Sequence, residues 1–252
     1  MMEIINHTTF SPAFPYREKR PTSSKLIFIV CEGAATEDDY FRKVVSQEFD
    51  NIKTKVQVIN IFAEILKKPL KGRTSEEKRI LSSSSPKNLL DEMKNFIIKK
   101  EEIYEFSKHN DDEFWLMMDV DKHTDSDHIQ DWNRILNQCD EEGYHYAISN
   151  PFFELWLLLH HDDVNIEDYG FAVTETHTYE STAHFRKRLR ELKVPLKSQK
   201  HIKNPKDYTK DNIQKAVERA KSLDKNNERY PTNLGSTVYR LMELMLSYDK
   251  HS

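Results

Sequence analysis

Residues 25–45, KLIFIVCEGAATEDDYFRKVV, decide the fold. The first seven, KLIFIVC, form an unbroken β-branched and apolar run, the pattern of a strand buried on both faces as in a parallel sheet. It ends at Glu32-Gly33. Thr36 then stands where a helix N-cap belongs, with Glu37, Asp38 and Asp39 in the first turn, where the helix dipole favours acids. Tyr40, Phe41, Val44 and Val45 follow at helical spacing. The stretch reads as strand, turn, helix.

The same grammar repeats downstream. Residues 55–62 (KVQVINIF) alternate and predict a second strand, and 67–85 form a basic, serine-rich connection. Pro86 can open a helix as its first residue, and helical spacing then runs to about Phe106. Residues 114–118 (FWLMM) predict a third buried strand, ending in Asp119-Val120-Asp121. A helix over 128–142 stopping near Gly143, a strand over 144–148, a turn at Ser149-Asn150-Pro151 and an apolar helix over 152–161 follow. Beyond Asp162 the pattern is mainly helical, with helices over 182–192, 210–223 and 237–248 and basic connectors between them. Strands alternating with helices imply an α/β fold with a mostly parallel sheet flanked by helices. The organisation read from this is an N-terminal arm over 1–24, an α/β core over 25–161 and a helical C-terminal extension over 162–252 packed on it.

Composition supports that class. A chain of 252 residues fits one large domain or two small ones. It has 5 glycines, where an average protein of this length has ~18, which disfavours turn-dense all-β folds. The net charge of −4 means that any grip on nucleic acid must come from a local basic patch. Cys31 and Cys139 form neither a disulfide framework nor a zinc spacing, which points to a reducing, cytoplasmic compartment. The first 24 residues lack the apolar run of a signal peptide, and no apolar window is long enough to span a bilayer.

Chemistry concentrates at the predicted strand ends. In open α/β sheets, sites form outside the carboxyl ends of strands. Glu32 ends one predicted strand, and Asp119 with Asp121 ends another. Each acid alone reads as ordinary strand-end polarity. Together they make an oxygen-rich set suited to Mg²⁺ or Mn²⁺, which activate water and polarise phosphoryl oxygens for phosphodiester cleavage. Gly33 would let the backbone turn tightly beside a phosphate. Glu154 is the single charge inside SNPFFELWLLL (149–159), where it would orient a metal ligand, water or substrate, or pair with a nearby Lys or Arg. Asn150 sits at the entry to that segment and joins the substrate-binding candidates. The histidines read by default as exposed loop residues, and His123 is the one expected in the site. Of the basic clusters, Lys197, Lys200 and Lys203, near Tyr208, suit a flexible single strand or an RNA end. No phosphate loop, nucleophile elbow, dinucleotide fingerprint or H-E-x-x-H occurs.

The segments IVCEGAATEDDYF (29–41), MMDVDKH (117–123), SNPFFELWLLLH (149–160) and YPTNLGSTVYRLMELM (230–245) together resemble the RloB family, a branch with a Toprim-like core. The resemblance covers nearly the whole chain after the arm. It implies a Toprim-type metal site with Glu32, Asp119 and Asp121 as its acids, and Glu37 as a further ligand comparable to the second glutamate of the overcoming-lysogenization-defect nucleases. It also implies a toxic effector in bacterial anti-phage or abortive-infection defence with a partner ATPase encoded nearby. Where the family often has a charged pair after the glycine, this chain has Ala34-Ala35. The function expected is therefore a metal-dependent endonuclease acting on DNA or RNA, tRNA among the latter, in an assembly that allows a homo-oligomer. A non-catalytic sensor or adaptor, binding a nucleotide or partner protein through the same sheet end, is the alternative, and a nucleotidyl transferase or primase-like activity is a third reading.

Overall fold

The structure, a computed structural model, describes residues 25–31, 36–45, 48–49, 56–59, 69–75, 78, 86–120, 126–162, 187–193, 202 and 205–250. Its centre is a sheet in the order β2-β1-β3-β4-β5. Strands β1 (Ile27–Cys31), β2 (Val56–Ile59), β3 (Glu113–Asp119) and β4 (His145–Asn150) run parallel. The short β5 (Gly235–Ser236) joins β4 antiparallel. The expected α/β architecture is what forms.

The period of two along each strand sorts the core into two clusters. Ile27, Ile29 and Cys31 of β1, Trp115 and Met117 of β3 and Ala147 of β4 belong to one. Phe28 and Val30, Leu116 and Met118, and Ile148 belong to the other. Both faces of β1 are therefore covered, which is why its sequence is apolar throughout rather than alternating. The second cluster is closed by α2 (Pro86–Tyr104) and α3 (Ser126–Glu142). At its heart the Phe28 ring meets Phe96, Tyr104, Phe106 and Phe114 at centroid distances of 5.7, 5.2, 5.2 and 5.3 Å. Helix α3 ends as expected: Gly143 has φ +73° and its N–H donates to the Asp140 carbonyl, while Tyr144 N–H reaches back to Cys139, a Schellman closure that glycine accommodates.

The first cluster is closed by α1 (Thr36–Asp39) with the turn that continues it, by α4 (Glu154–Leu158), by α5 (Lys210–Leu223) and by α6 (Val238–Lys250). Residues 187–191 are also helical, and Leu189 joins this core. The N-cap Thr209 accepts from Asn212 N–H, which starts α5 where the sequence places it.

Three expectations on local structure are corrected. Ser149 and Asn150 are not a turn: they are the last residues of β4, paired with Ser236 and Gly235. Their partner strand is two residues long and lies far along the chain, so no local pattern announces it. The mainly helical C-terminal part supplies that strand, β5, as an added edge of the sheet. The helix expected over 152–161 is regular only over Glu154–Leu158, after a cis Asn150–Pro151 peptide bond. Residues 152–160 are buried throughout, so the run has no polar face from which its limits could be read. Finally, the helix begun at Thr36 has only four α residues and continues as a π-helix over Tyr40–Val45.

Candidate functional site

The carboxyl ends of the parallel strands lie on one edge of the sheet, and buried polar side chains gather on the segments that reach or leave it. Asp119 is the last residue of the central strand β3 and is 5% exposed. It is in register with Ser149, whose carbonyl accepts from the Val120 N–H at 2.9 Å. Ser149 is in turn paired with Ser236, with 2.9 Å between their hydroxyl oxygens. Thr237 completes the rung: its N–H donates to the Ile148 carbonyl and its hydroxyl accepts from the Ile148 N–H, both at 2.8 Å. Asp119, Ser149 and Ser236 thus form a row across three strands.

Asn150 closes the same edge. It is 1% exposed, and its side-chain amide donates to the Pro231 carbonyl at 3.0 Å. Glu154 opens α4 directly beyond it and is 2% exposed, although it is a lone acid in an apolar segment. Glu37, in the first turn of α1 after β1, is 3% exposed. Asp39 on the same turn accepts the Ile202 N–H at 3.1 Å, which ties a C-terminal segment to α1.

A buried polar chain joins the helical segment that carries Glu37 to the one that carries Glu154. The Tyr40 hydroxyl lies 3.1 Å from His160 Nε2, and His160 Nδ1 lies 2.9 Å from the Trp156 carbonyl. Burial keeps the imidazole neutral, with its pKa lowered to about 3, and pushes the Tyr40 hydroxyl far above its ordinary value. A neutral ring in this setting donates from Nδ1 to the carbonyl and accepts at Nε2 from Tyr40. Tyr208 packs edge-on against both rings, at 5.0 Å from His160 and 6.2 Å from Tyr40. The end of α4 is held from α5: Arg219 donates to the carbonyls of Leu159 and His161 at 2.7 and 2.8 Å, which helix geometry leaves without intrahelical partners.

Two readings change here. His160 is not an exposed loop histidine, because it is 1% exposed at the centre of this chain. Tyr208 is 2% exposed and is not available to stack on a base. Apolar neighbours at helical spacing around Tyr40 and Trp156 marked these residues as core, but nothing local indicated that a tyrosine and a histidine 120 positions apart would meet. Both cysteines are free and buried, and burial pushes the Cys139 thiol up to about 12, so it is no nucleophile.

Of the acids expected to bind metal, Asp119 and Glu37 lie among the described residues, while Glu32 and Asp121 lie outside them, as do Gly33, His123, Lys197, Lys200 and Lys203. Among the described residues no three His, Cys, Asp or Glu side chains group to hold a metal ion. The chemistry of the donors fits a hard cation: carboxylates at a strand end, with no thiolate available and His160 committed to internal hydrogen bonds.

The chain belongs to the family of RloB-like proteins, whose model matches residues 27–245 and so spans every strand of the sheet and most of α6. No curated protein and no solved structure matches it. Among the described residues, no helix is long and apolar enough to cross a membrane.

Proposed function

We propose that this protein is a metal-dependent nuclease that hydrolyses phosphodiester bonds of DNA or RNA, tRNA among the candidate substrates. We further infer that it acts as a toxic effector of bacterial anti-phage defence beside a partner ATPase. The supporting observation is the burial of Glu37, Asp119 and Glu154 on segments that reach or leave the carboxyl ends of β1, β3 and β4. Carboxylates at such depth are costly unless cations or hydrogen bonds compensate them. On this reading Glu32, Asp119 and Asp121 hold Mg²⁺ or Mn²⁺, with Glu37 as a further ligand. The cation supplies Lewis acidity toward the phosphoryl oxygens and an acidified water.

The chain's own residues then have separable tasks. Asp119 would fix one ligand oxygen at the end of the most central strand, where its backbone is in register with Ser149 of β4. Glu154 orients water or a ligand from the start of α4 and is kept in place by the Tyr40–His160 link and the Arg219 clamp. Gly33 and His123 are the proposed contacts to the substrate. Asn150 ties the site edge to the Pro231 loop. Lys197, Lys200 and Lys203 attract the polyanion locally, against a net charge of −4.

The test is a cleavage assay on labelled DNA and RNA, tRNA included, with Mg²⁺ or Mn²⁺ and then with EDTA. Cleavage that requires the cation and stops in chelator is expected. Cleavage unaffected by chelator, or none on any substrate with either ion, contradicts the proposal.

A further inference from the structure

The loop between α5 and β5 is built like a binding loop and encloses a cavity that the acidic site does not use. Arg240 organises it from α6: Nη2 donates to Asp224 Oδ2 at 3.0 Å, to Asn227 Oδ1 at 3.1 Å and to the Glu228 carbonyl at 2.6 Å. The Tyr239 hydroxyl adds a bond to Asp224 at 2.8 Å, and Thr232 donates to Glu228 Oε2 at 2.8 Å. Gly235 lets the loop fold back on the sheet, since a Cβ there would stand 3.0 Å from Cβ of Pro231. A polar surface segment pinned this heavily is preorganised, and rigid loops beside a sheet end are where proteins commonly place recognition.

The cavity has a volume of about 150 Å³, the scale at which a single benzene-sized ring is accommodated. Its walls include Asp224, Lys225, Glu228, Pro231, Asn233 and Ser236. The carboxylates of Asp224 and Glu228 are committed to Arg240, Tyr239 and Thr232, so they hold no cation, and with Arg240 and Lys225 beside them the wall has no net positive charge to draw a phosphate. Hydrogen bonds from Thr232 and Asn226 keep the Glu228 carboxyl below its ordinary range. Among the described residues, the side chains of Lys225 and Asn233 have no hydrogen bond or ion pair. What suits such a wall is an uncharged planar ring with hydrogen-bonding edges, held against the apolar Pro231 and read by an amide that both donates and accepts. The location agrees: Ser236 in the wall is two rungs from Asp119 along the row Asp119, Ser149, Ser236.

We propose that this cavity is a subsite for one unstacked nucleobase of the strand whose phosphate is cut at the acidic site, with Asn233 reading the base edge. This rests on the nuclease reading and adds to it a preference for a strand with a free, single base.

The experiment uses the full chain and a fluorescein-labelled single strand, as RNA and as DNA, in which an abasic site is moved one position at a time. Binding is followed by anisotropy with Ca²⁺ in place of Mg²⁺. One abasic position is expected to weaken binding about 10-fold, and Asn233→Ala is expected to erase that dependence without changing the melting temperature, because Asn233 is exposed. Equal affinity at every abasic position, or a positional loss that persists in Asn233→Ala, overturns the subsite. Cleavage of the intact strand in Mg²⁺ separates the two readings: cleavage without abasic sensitivity removes the subsite alone, whereas neither binding nor cleavage of either strand removes both.

Discussion

The two faces of the sheet are built differently. The face covered by α2 and α3 is almost purely apolar, an aromatic cluster around Phe28 with Leu116, Met118 and Ile148 beside it. The face covered by α1, α4, α5 and α6 buries Glu37, Asp39, Glu154, His160 and the Tyr40 hydroxyl, and the strand ends beside it bury Asp119, Ser149 and Asn150. Among the described residues, the other half buries His109 and the side chains of Tyr104, Tyr144 and Trp132 but no carboxylate. Burying polar groups weakens a fold unless each is matched, and matched groups fix one arrangement. Both faces therefore supply apolar core, and the one under α1, α4, α5 and α6 also gives part of its interior to acids and their supports.

If that division is right, substitutions on the two sides fail in different ways. Asp119→Ala and Asp121→Ala should each lower cleavage by roughly 1000-fold, the equivalent of several kcal/mol of lost transition-state stabilisation. Their melting temperatures should hold, since on the proposed reading these carboxylates share a cation and repel one another without it. Full activity in either variant would break the assignment. Phe28→Ala on the apolar face should do the reverse, costing about 3–5 kcal/mol of stability by denaturant titration while activity per folded molecule stays at the parent value.

Glu154→Gln sharpens the comparison, because this acid belongs to the polar face but opens an otherwise apolar helix. Cleavage should fall by about 10–100-fold, the usual loss when a group supporting a metal site is changed, with little change in melting temperature. Lost stability at normal specific activity would make Glu154 a structural residue.

The smallest effect expected is on pH. His160 is held neutral in the fold with its pKa at about 3, whereas in the unfolded chain it takes up a proton near the ordinary 6.5. Its contribution to stability is complete above that value and declines as pH falls from 6.5 toward 3. The decline is about 2 kcal/mol between pH 7 and pH 5. His160→Gln, which hydrogen-bonds without titrating, should flatten that part of the profile. An unchanged slope would place the acid sensitivity elsewhere.

The apolar half was the more legible in sequence. Residues 114–118 lie within Glu113–Asp119 and the stop at Gly143 is a left-handed closure, while in the other half α5 keeps the limits 210–223 that its periodicity implies. These signals are local. The polar half depends on distant pairings: β5 on the end of β4, His160 on Tyr40, Asp39 on Ile202 and Asn150 on Pro231. A two-residue strand has no periodicity, and a buried hydrogen bond between helices has no signature in either helix. Of the candidate acids, Asp119 was legible because an apolar run ends on it, and Glu154 because it interrupts one.

The central claim, that the acids at the strand ends bind a catalytic cation, is tested most directly by Mn²⁺ titration of the full chain, followed by electron paramagnetic resonance, for the parent protein and for Asp119→Ala. The account predicts saturable Mn²⁺ binding by the parent and its loss in the variant, with the melting temperature unchanged. Equal Mn²⁺ binding by the two proteins, or none by the parent, would contradict it.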